Sequence, residues 1–236
     1  MTLTFIRLEN GDKMDITFVC GKEEASKYAP VPASTFKPDW YSNLNTYVDQ
    51  EKTFPSIKKC MPVYDAMTSG YIVFNAVDQE ISAQPNFEQG TQGFDRRYPQ
   101  GWSEFTEQEG HPYVQCPVGD PKDYMVISVP WQIKTPPGYS CLIQKPYYHT
   151  EERFEVMTAI IDTDVIDVPW HNWPAKLFEN NFTIRAGEAV AQVIPFKREE
   201  WNMSIEIDTS IMKQDTICNT QSDGYAKIMH NKKRHK

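Results

Sequence analysis

The stretch FTIRAGEAVAQVIPFKREEW, residues 182–201, decides how this chain is read. Ala186-Gly187 is a turn signal between two apolar runs, so the simplest reading is strand, turn, strand. Some twenty residues earlier, AIIDTD (159–164) reads as an apolar strand ending in two carboxylates. If Asp162 is a catalytic acid or base, the chain is an enzyme. If Asp162 only ends a strand, the case for catalysis loses its centre.

Working outward, the same signal dominates from residue 124. YMVISVPWQIKTPPGYSCLIQKPYY (124–148) offers two or three strands, RFEVMTAIIDTD (153–164) one or two, and PAKLFEN (174–180) another. Short strands with closely spaced turn signals predict a mainly β fold, a sandwich or distorted barrel. Seventeen prolines outnumber eleven glycines, and many stand inside apolar stretches. Proline removes a backbone donor and clashes with the preceding turn, so long helices are excluded there and edge strands are expected.

Toward the N-terminus, LTFIRL (3–8) and MDITFVC (14–20) flank Asn10-Gly11, a hairpin signal. A helical turn is expected over 23–29, then an extended, proline-bounded arm with a short helix at 39–44. A turn or helix follows at 62–68 and a strand at 71–76. Residues 84–122 are polar and turn-rich without periodicity, the mark of a long insertion that packs on something else. From residue 208 the tail is expected to close with helices near 209–219 and 224–231. The division is then a hairpin and arm (1–60), a β core (61–207) carrying the insertion, and a basic, partly helical tail (208–236).

With 236 residues, 40% of them hydrophobic and 13% aromatic, the chain can bury a core. A net charge of −8 disfavours a global grip on nucleic acid; only Lys232, Lys233, Arg234 and Lys236 form a local basic tail. Five scattered cysteines and no signal-like segment predict free thiols and synthesis in a reducing cytoplasm. No run is long enough for a membrane span.

The strands also carry a resemblance. IKTPPGYSCLI (133–143), AIIDTD and FTIRAGEAVAQVIPF resemble, in order and spacing, the core of the dUTPase and dCTP deaminase superfamily. SGYIVFNA (69–76) sits where that family's first motif falls. The resemblance covers about residues 65–196 and implies a β-clip fold, a trimer, and sites at subunit interfaces. It places Asp162 as the water-activating aspartate and Gln192 as the glutamine of the fourth motif. Elsewhere the family pattern is broken. Ile72 stands where a phosphate-site aspartate is expected, Pro146, Tyr147 and Tyr148 replace an Arg-Ser-Gly turn, and Val165 replaces the base-stacking aromatic. The segments TFKPDW, CMPVYDAMTSGYI, VIPFKREEW and the lysine-rich end are similar to a group of proteins encoded by tailed bacteriophages, notably marine (cyanophage-type) ones. That similarity implies a virus-encoded protein and names no activity.

Two other clusters have chemical readings. HTEERF (149–154) contains His149-x-Glu151, which with His171 or His230 could begin a two-histidine, one-carboxylate iron site. VPWHNWPAKLF (168–178) groups Trp170, His171 and Trp173; with Tyr147 and Tyr148 these are candidates for core or interface packing, or for a stacking platform. The leading expectation is a non-enzymatic bacteriophage protein, without a cofactor, that acts by assembly. It would be a homo-oligomer bound to other phage or host proteins, in the host cytoplasm or the virion. The alternatives are a nucleotide-directed hydrolase using Asp162 and Gln192, and a non-haem iron oxygenase.

Overall fold

The computed structural model describes residues 14–83, 94–97, 124–168 and 171–208, with backbone alone for residues 83, 94–97 and 171. In chain order the first strands are β1 (Thr17–Val19), β2 (Val31–Pro32), β3 (Tyr71–Phe74), β4 (Gln79–Ala83) and β5 (Phe94–Arg97). Then come β6 (Tyr124–Val129), β7 (Gln132–Lys134), β8 (Tyr139–Gln144), β9 (Phe154–Val156) and β10 (Ala159–Ile161). β11 (His171–Leu177), β12 (Asn181–Ile184) and β13 (Ala189–Lys197) complete the set. Two α-helices, α1 (Asp39–Asn43) and α2 (Met61–Thr68), and short 3-10 turns lie in the N-terminal third.

The chain is mainly β, as its alternation predicts. The largest sheet has the order β10-β8-β13-β3-β2, and every pair in it is antiparallel. β6-β11-β9 and β12-β4-β5 form three-stranded sheets, and β1 pairs with β7. The barrel half of the sequence expectation is corrected: among the described residues no sheet closes on itself. A barrel needs every edge to find a partner, and the largest sheet ends instead in the short strands β10 and β2.

One continuous core lies between the sheets. Val73, Cys141, Ile143, Ala191 and Val193 of the largest sheet meet Ile127, Val129, Phe154, Trp173 and Leu177 of the β6 sheet. The alternate residues of β3, Ile72 and Phe74, face the other way. They form a second cluster with Ala33, packed by Tyr28, Val31 and Phe36 of the N-terminal arm. The arm therefore roofs one end of the outer face of the sheet. Burying side chains of this size stabilises by about 1.5–3 kcal/mol each.

The strand prolines obey a local rule. β13 pairs with β3 only up to Val193, so Pro195 has β8 as its one strand neighbour. β11 pairs with β9 only from Ala175, so Pro174 has β6 alone. Pro32 stands on the edge strand β2. A missing N–H costs little where no second strand asks for it.

A buried amide knot joins the turn after β3 to the turn before β13. Asn75 Nδ2 donates to Ile184 O at 2.8 Å, and Gly187 N donates to Asn75 O at 2.8 Å. Gln79 Nε2 donates to Asn75 Oδ1. Sequence reading did not single out either amide.

Several expectations fall on residues outside the described set. These are the first limb and turn of the N-terminal hairpin, nearly all of 84–122, Trp170, the tail helices, His230 and the basic residues Lys232, Lys233, Arg234 and Lys236. The strand Phe94–Arg97 within the expected insertion is described and pairs with β4.

Candidate functional site

β10 ends with Ile161 opposite Cys141 on β8, and Asp162 follows. Thr163 is buried; its hydroxyl lies 2.7 Å from Thr135 Oγ1 and 3.4 Å from Cys141 Sγ. Val165 N and Ile166 N both donate to Asp162 O at 3.0 Å, which closes the turn. With Thr163 pinned inward, Asp162 and Asp164 are presented together to Arg198, just beyond β13.

Arg198 Nη1 lies 3.1 Å from Asp162 Oδ1 and 2.8 Å from Asp164 Oδ1, and Nη2 reaches Asp164 Oδ2 at 2.5 Å. Ser140 Oγ donates to Asp162 Oδ1 at 2.6 Å, and Gly138 N donates to Asp164 Oδ2 at 2.7 Å. The same Nη1 reaches Ser140 Oγ at 2.9 Å. Arg198 thus clamps the ends of β8, β10 and β13 through a fork that matches a carboxylate. A general base needs a proton within reach and a positioned substrate; the nearest proton donors here already serve the fold.

The hydrogen bonds from Arg198 hold the Asp164 carboxyl down at about 2; burial works the other way, and the Gly138 N–H assists. The unfolded value is about 3.9. A carboxyl depressed on folding stabilises above its unfolded value and loses that contribution as pH falls through its folded value. The melting temperature is therefore expected to drop between about pH 4 and 2, and Arg198→Met should flatten that drop. Thermal melts across this range by circular dichroism check it.

Gln192 is fully buried on β13. Its Nε2 donates to Ala66 O at 3.0 Å and Ser69 O at 2.7 Å, and its Oε1 accepts from Tyr147 N at 3.0 Å. The amide ties β13 to the end of α2 and to the turn after β8. Asp162 follows the Ile161–Cys141 pair, beside the Ser140–Phe196 register of β8 and β13. Gln192 stands four residues from Phe196, about 13 Å along the strand. The two residues that the hydrolase reading needs do not meet within one chain.

His149 and Glu151 also have separate engagements. Glu151 Oε1 accepts from Arg153 N and Nε at 2.8 Å, and Oε2 from Arg153 Nη2 at 2.6 Å. Burial raises the Glu151 carboxyl, but the Arg153 hydrogen bonds outweigh it and hold it below its ordinary value. Arg153 continues to Thr183 O at 2.7 Å and to Glu188 Oε2, which joins this loop to β12 and β13. The His149 ring stacks on Phe36 at 5.2 Å, with planes 4° apart. Among the described residues no three His, Cys, Asp or Glu side chains are grouped to hold a metal ion. His171 is described by its backbone alone, opposite Val129.

Burial pushes the His149 imidazole below its ordinary value, against a backbone hydrogen bond at Phe36. A histidine depressed on folding stabilises above its unfolded value of about 6.5 and costs stability as pH falls below it. The arm is therefore expected to loosen on mild acidification, seen as lower protection factors around Phe36 and Trp40 at pH 5 than at pH 7.5, once the slower intrinsic amide exchange at pH 5 is divided out. His149→Phe keeps the stack and should abolish the difference.

Trp173 is buried in the core, so it is no stacking platform. Tyr147 is half-buried. Tyr148 is exposed, takes a left-handed φ of 62°, and accepts at its carbonyl from Trp40 Nε1 at 2.8 Å. The two tyrosine rings lie 5.9 Å apart. This pair faces the N-terminal arm at its own chain's surface.

Sequence reading passed over a more prominent feature. Residues 201–208, WNMSIEID, lie outside the described strands, and all are exposed. Trp201, Met203, Ile205 and Ile207 are 86, 87, 79 and 92% exposed. The alternation of these four with Asn202, Ser204, Glu206 and Asp208 was legible as a strand signal. No protein-family model matches the chain, and none of the curated proteins matches it. No described helix is long and apolar enough to cross a membrane.

Proposed function

We propose that this chain is a non-enzymatic protein that works by assembly, as a component of a tailed-bacteriophage particle or an interaction module of such a virus. The exposed segment 201–208 carries the assembly part of the reading. Four large apolar side chains at alternate positions of this segment stand exposed to water. Each stabilises by about 1.5–3 kcal/mol when buried, so the segment gains most when another surface covers it. A sheet edge or groove is the usual acceptor for such a strand.

The segments similar to tailed-phage proteins support the viral origin. The β-clip frame is part of the same proposal. Its supports are the left-handed turn at Gly138 before β8, the aspartate directly after β10, and the left-handed turn at Gly187 before the strand bearing Gln192. These three strands are neighbours in one sheet, in the order β10-β8-β13. Against the hydrolase alternative stand Arg198 on both aspartates and Gln192 bound to backbone.

Light scattering of the full chain across concentrations tests the assembly reading, alongside Trp201→Ser, Met203→Ser, Ile205→Ser and Ile207→Ser combined. The full chain is expected to associate, with itself or with a particle protein, and the serine chain to remain monomeric with an unchanged melt. Mass spectrometry of purified particles should find the chain among the packaged proteins. Turnover of a deoxynucleoside triphosphate with magnesium that is lost in Asp162→Asn would overturn the reading.

A further inference from the structure

We propose that the acidic-apolar arm 199–208 of one copy docks in a lysine–tyrosine cleft on the N-terminal arm of a second copy. This rests on the assembly reading above and names its partner. The cleft has a volume of about 390 Å³ and is lined by Lys37, Tyr41, Ser42, Lys58, Met61 and Tyr64. Its cations sit on its rings: Lys37 Nζ is 5.4 Å from the Tyr64 centroid and Lys58 Nζ is 5.7 Å from that of Tyr41. Lys58 Nζ also donates to the backbone, to Ser42 O at 3.1 Å and Leu44 O at 3.0 Å, which holds it against the floor of the cleft. Beside the cleft, Lys59 Nζ lies 5.0 Å from the Tyr47 centroid.

Charge and polarity match the arm to this surface. Residues 199–208 hold four carboxylates, Glu199, Glu200, Glu206 and Asp208, and no cation; Glu199 is already engaged, accepting from Lys197 Nζ at 3.0 Å. The arm region 37–64 holds four lysines against three carboxylates, in a chain whose net charge is −8. One of those three carboxylates, Asp49, is occupied in its own turn, accepting from Thr53 N and Phe54 N. The same region exposes Trp40, Val48, Phe54 and Ile57, an apolar rim for the apolar side of the arm. Trp201 is the natural anchor, because a tryptophan in a cleft of tyrosines and lysines gains both burial and cation–π contact.

A second copy is favoured over the same chain by where the two parts are attached. α2, which lines the cleft, is tied to β13 at Gln192, in the middle of the strand, whereas the arm leaves β13 beyond Lys197, five residues further along, about 17 Å away. In the chain as it stands the four arm side chains are 79–92% exposed.

Complementation between two defective full-length chains tests this. One carries the four serines in the arm. The other carries Lys37→Glu with Lys59→Glu beside its own intact arm. Each alone is expected to be monomeric by light scattering, and an equimolar mixture to form a heterodimer. A labelled peptide of residues 199–208 should bind the serine chain saturably, and at least ten-fold more weakly once Lys37→Glu and Lys59→Glu are added to it. Melts equal to wild type establish that each variant is folded. If the glutamate chain still self-associates while the serine chain does not, the arm drives assembly at another surface; the inference falls and the assembly reading stands. If the wild-type chain alone is monomeric at every concentration, a second copy is not the partner and the inference falls, whereas the assembly reading is then decided by particle mass spectrometry.

Discussion

Gly70→Ala is expected to destabilise the protein by about 3–5 kcal/mol, the largest effect among the described glycines Gly21, Gly70, Gly138 and Gly187. Gly70 joins α2 to β3 with φ at +70°, in the left-handed region that alanine enters only under strain. Geometry adds a second penalty. A Cβ at this position would stand 2.1 Å from Val193 O and 2.9 Å from Ile194 Cα, both backbone atoms of the central strand β13. Neither can rotate away, so the strand itself must shift, and with it the register that pairs β13 to β3 and β8. Gly138→Ala is the control. Gly138 has φ of +86° but nothing within 4 Å of an added Cβ, so only the backbone strain of about 1–2 kcal/mol applies. Urea unfolding of both variants checks the pair; equal losses would remove the close approach as a cause.

Gln192→Leu is expected to cost roughly 3–4 kcal/mol, because it strands three backbone groups at once. The carbonyls of Ala66 and Ser69 lose their donor, and Tyr147 N loses its acceptor. A lost partner costs about 1–3 kcal/mol where the group stays buried, and less where water reaches it. These partners come from the end of α2 and from the turn after β8, so amide exchange should quicken in both segments together. This readout separates a structural role from a catalytic one. A catalytic glutamine would lose turnover and leave exchange around Ser69 and Tyr147 untouched.

Much of the architecture was legible in the chain. The strands at 71–74, 139–144, 159–161 and 189–197 fall where alternation and turn residues place them. So do the short helices at 39–43 and 61–68, and the free thiols of Cys20, Cys60 and Cys141. β4 was missed because QEISA is short and mostly polar, and its pairing with β5 and β12 supplies what propensity does not. The barrel expectation failed because strand count says nothing about closure. The arm 201–208 was readable as a period-two pattern, yet the sequence carries no mark that the apolar side chains of such a pattern stay exposed.

The sequence by itself determined which residues extend, which turn, and which side of each strand is apolar, because a period of two and the missing donor of proline are local properties. Tertiary structure alone decided what the polar residues do. Asp162 and Asp164 face Arg198 only because β8 brings β10 and β13 to either side of itself. Gln192 meets Ala66 and Ser69 across more than 120 residues of chain. Alternation tells a side chain which way to point but not which strand, helix end or guanidinium will be waiting there. Whether a carboxylate or an amide acts on a ligand or holds the fold is set by that neighbour.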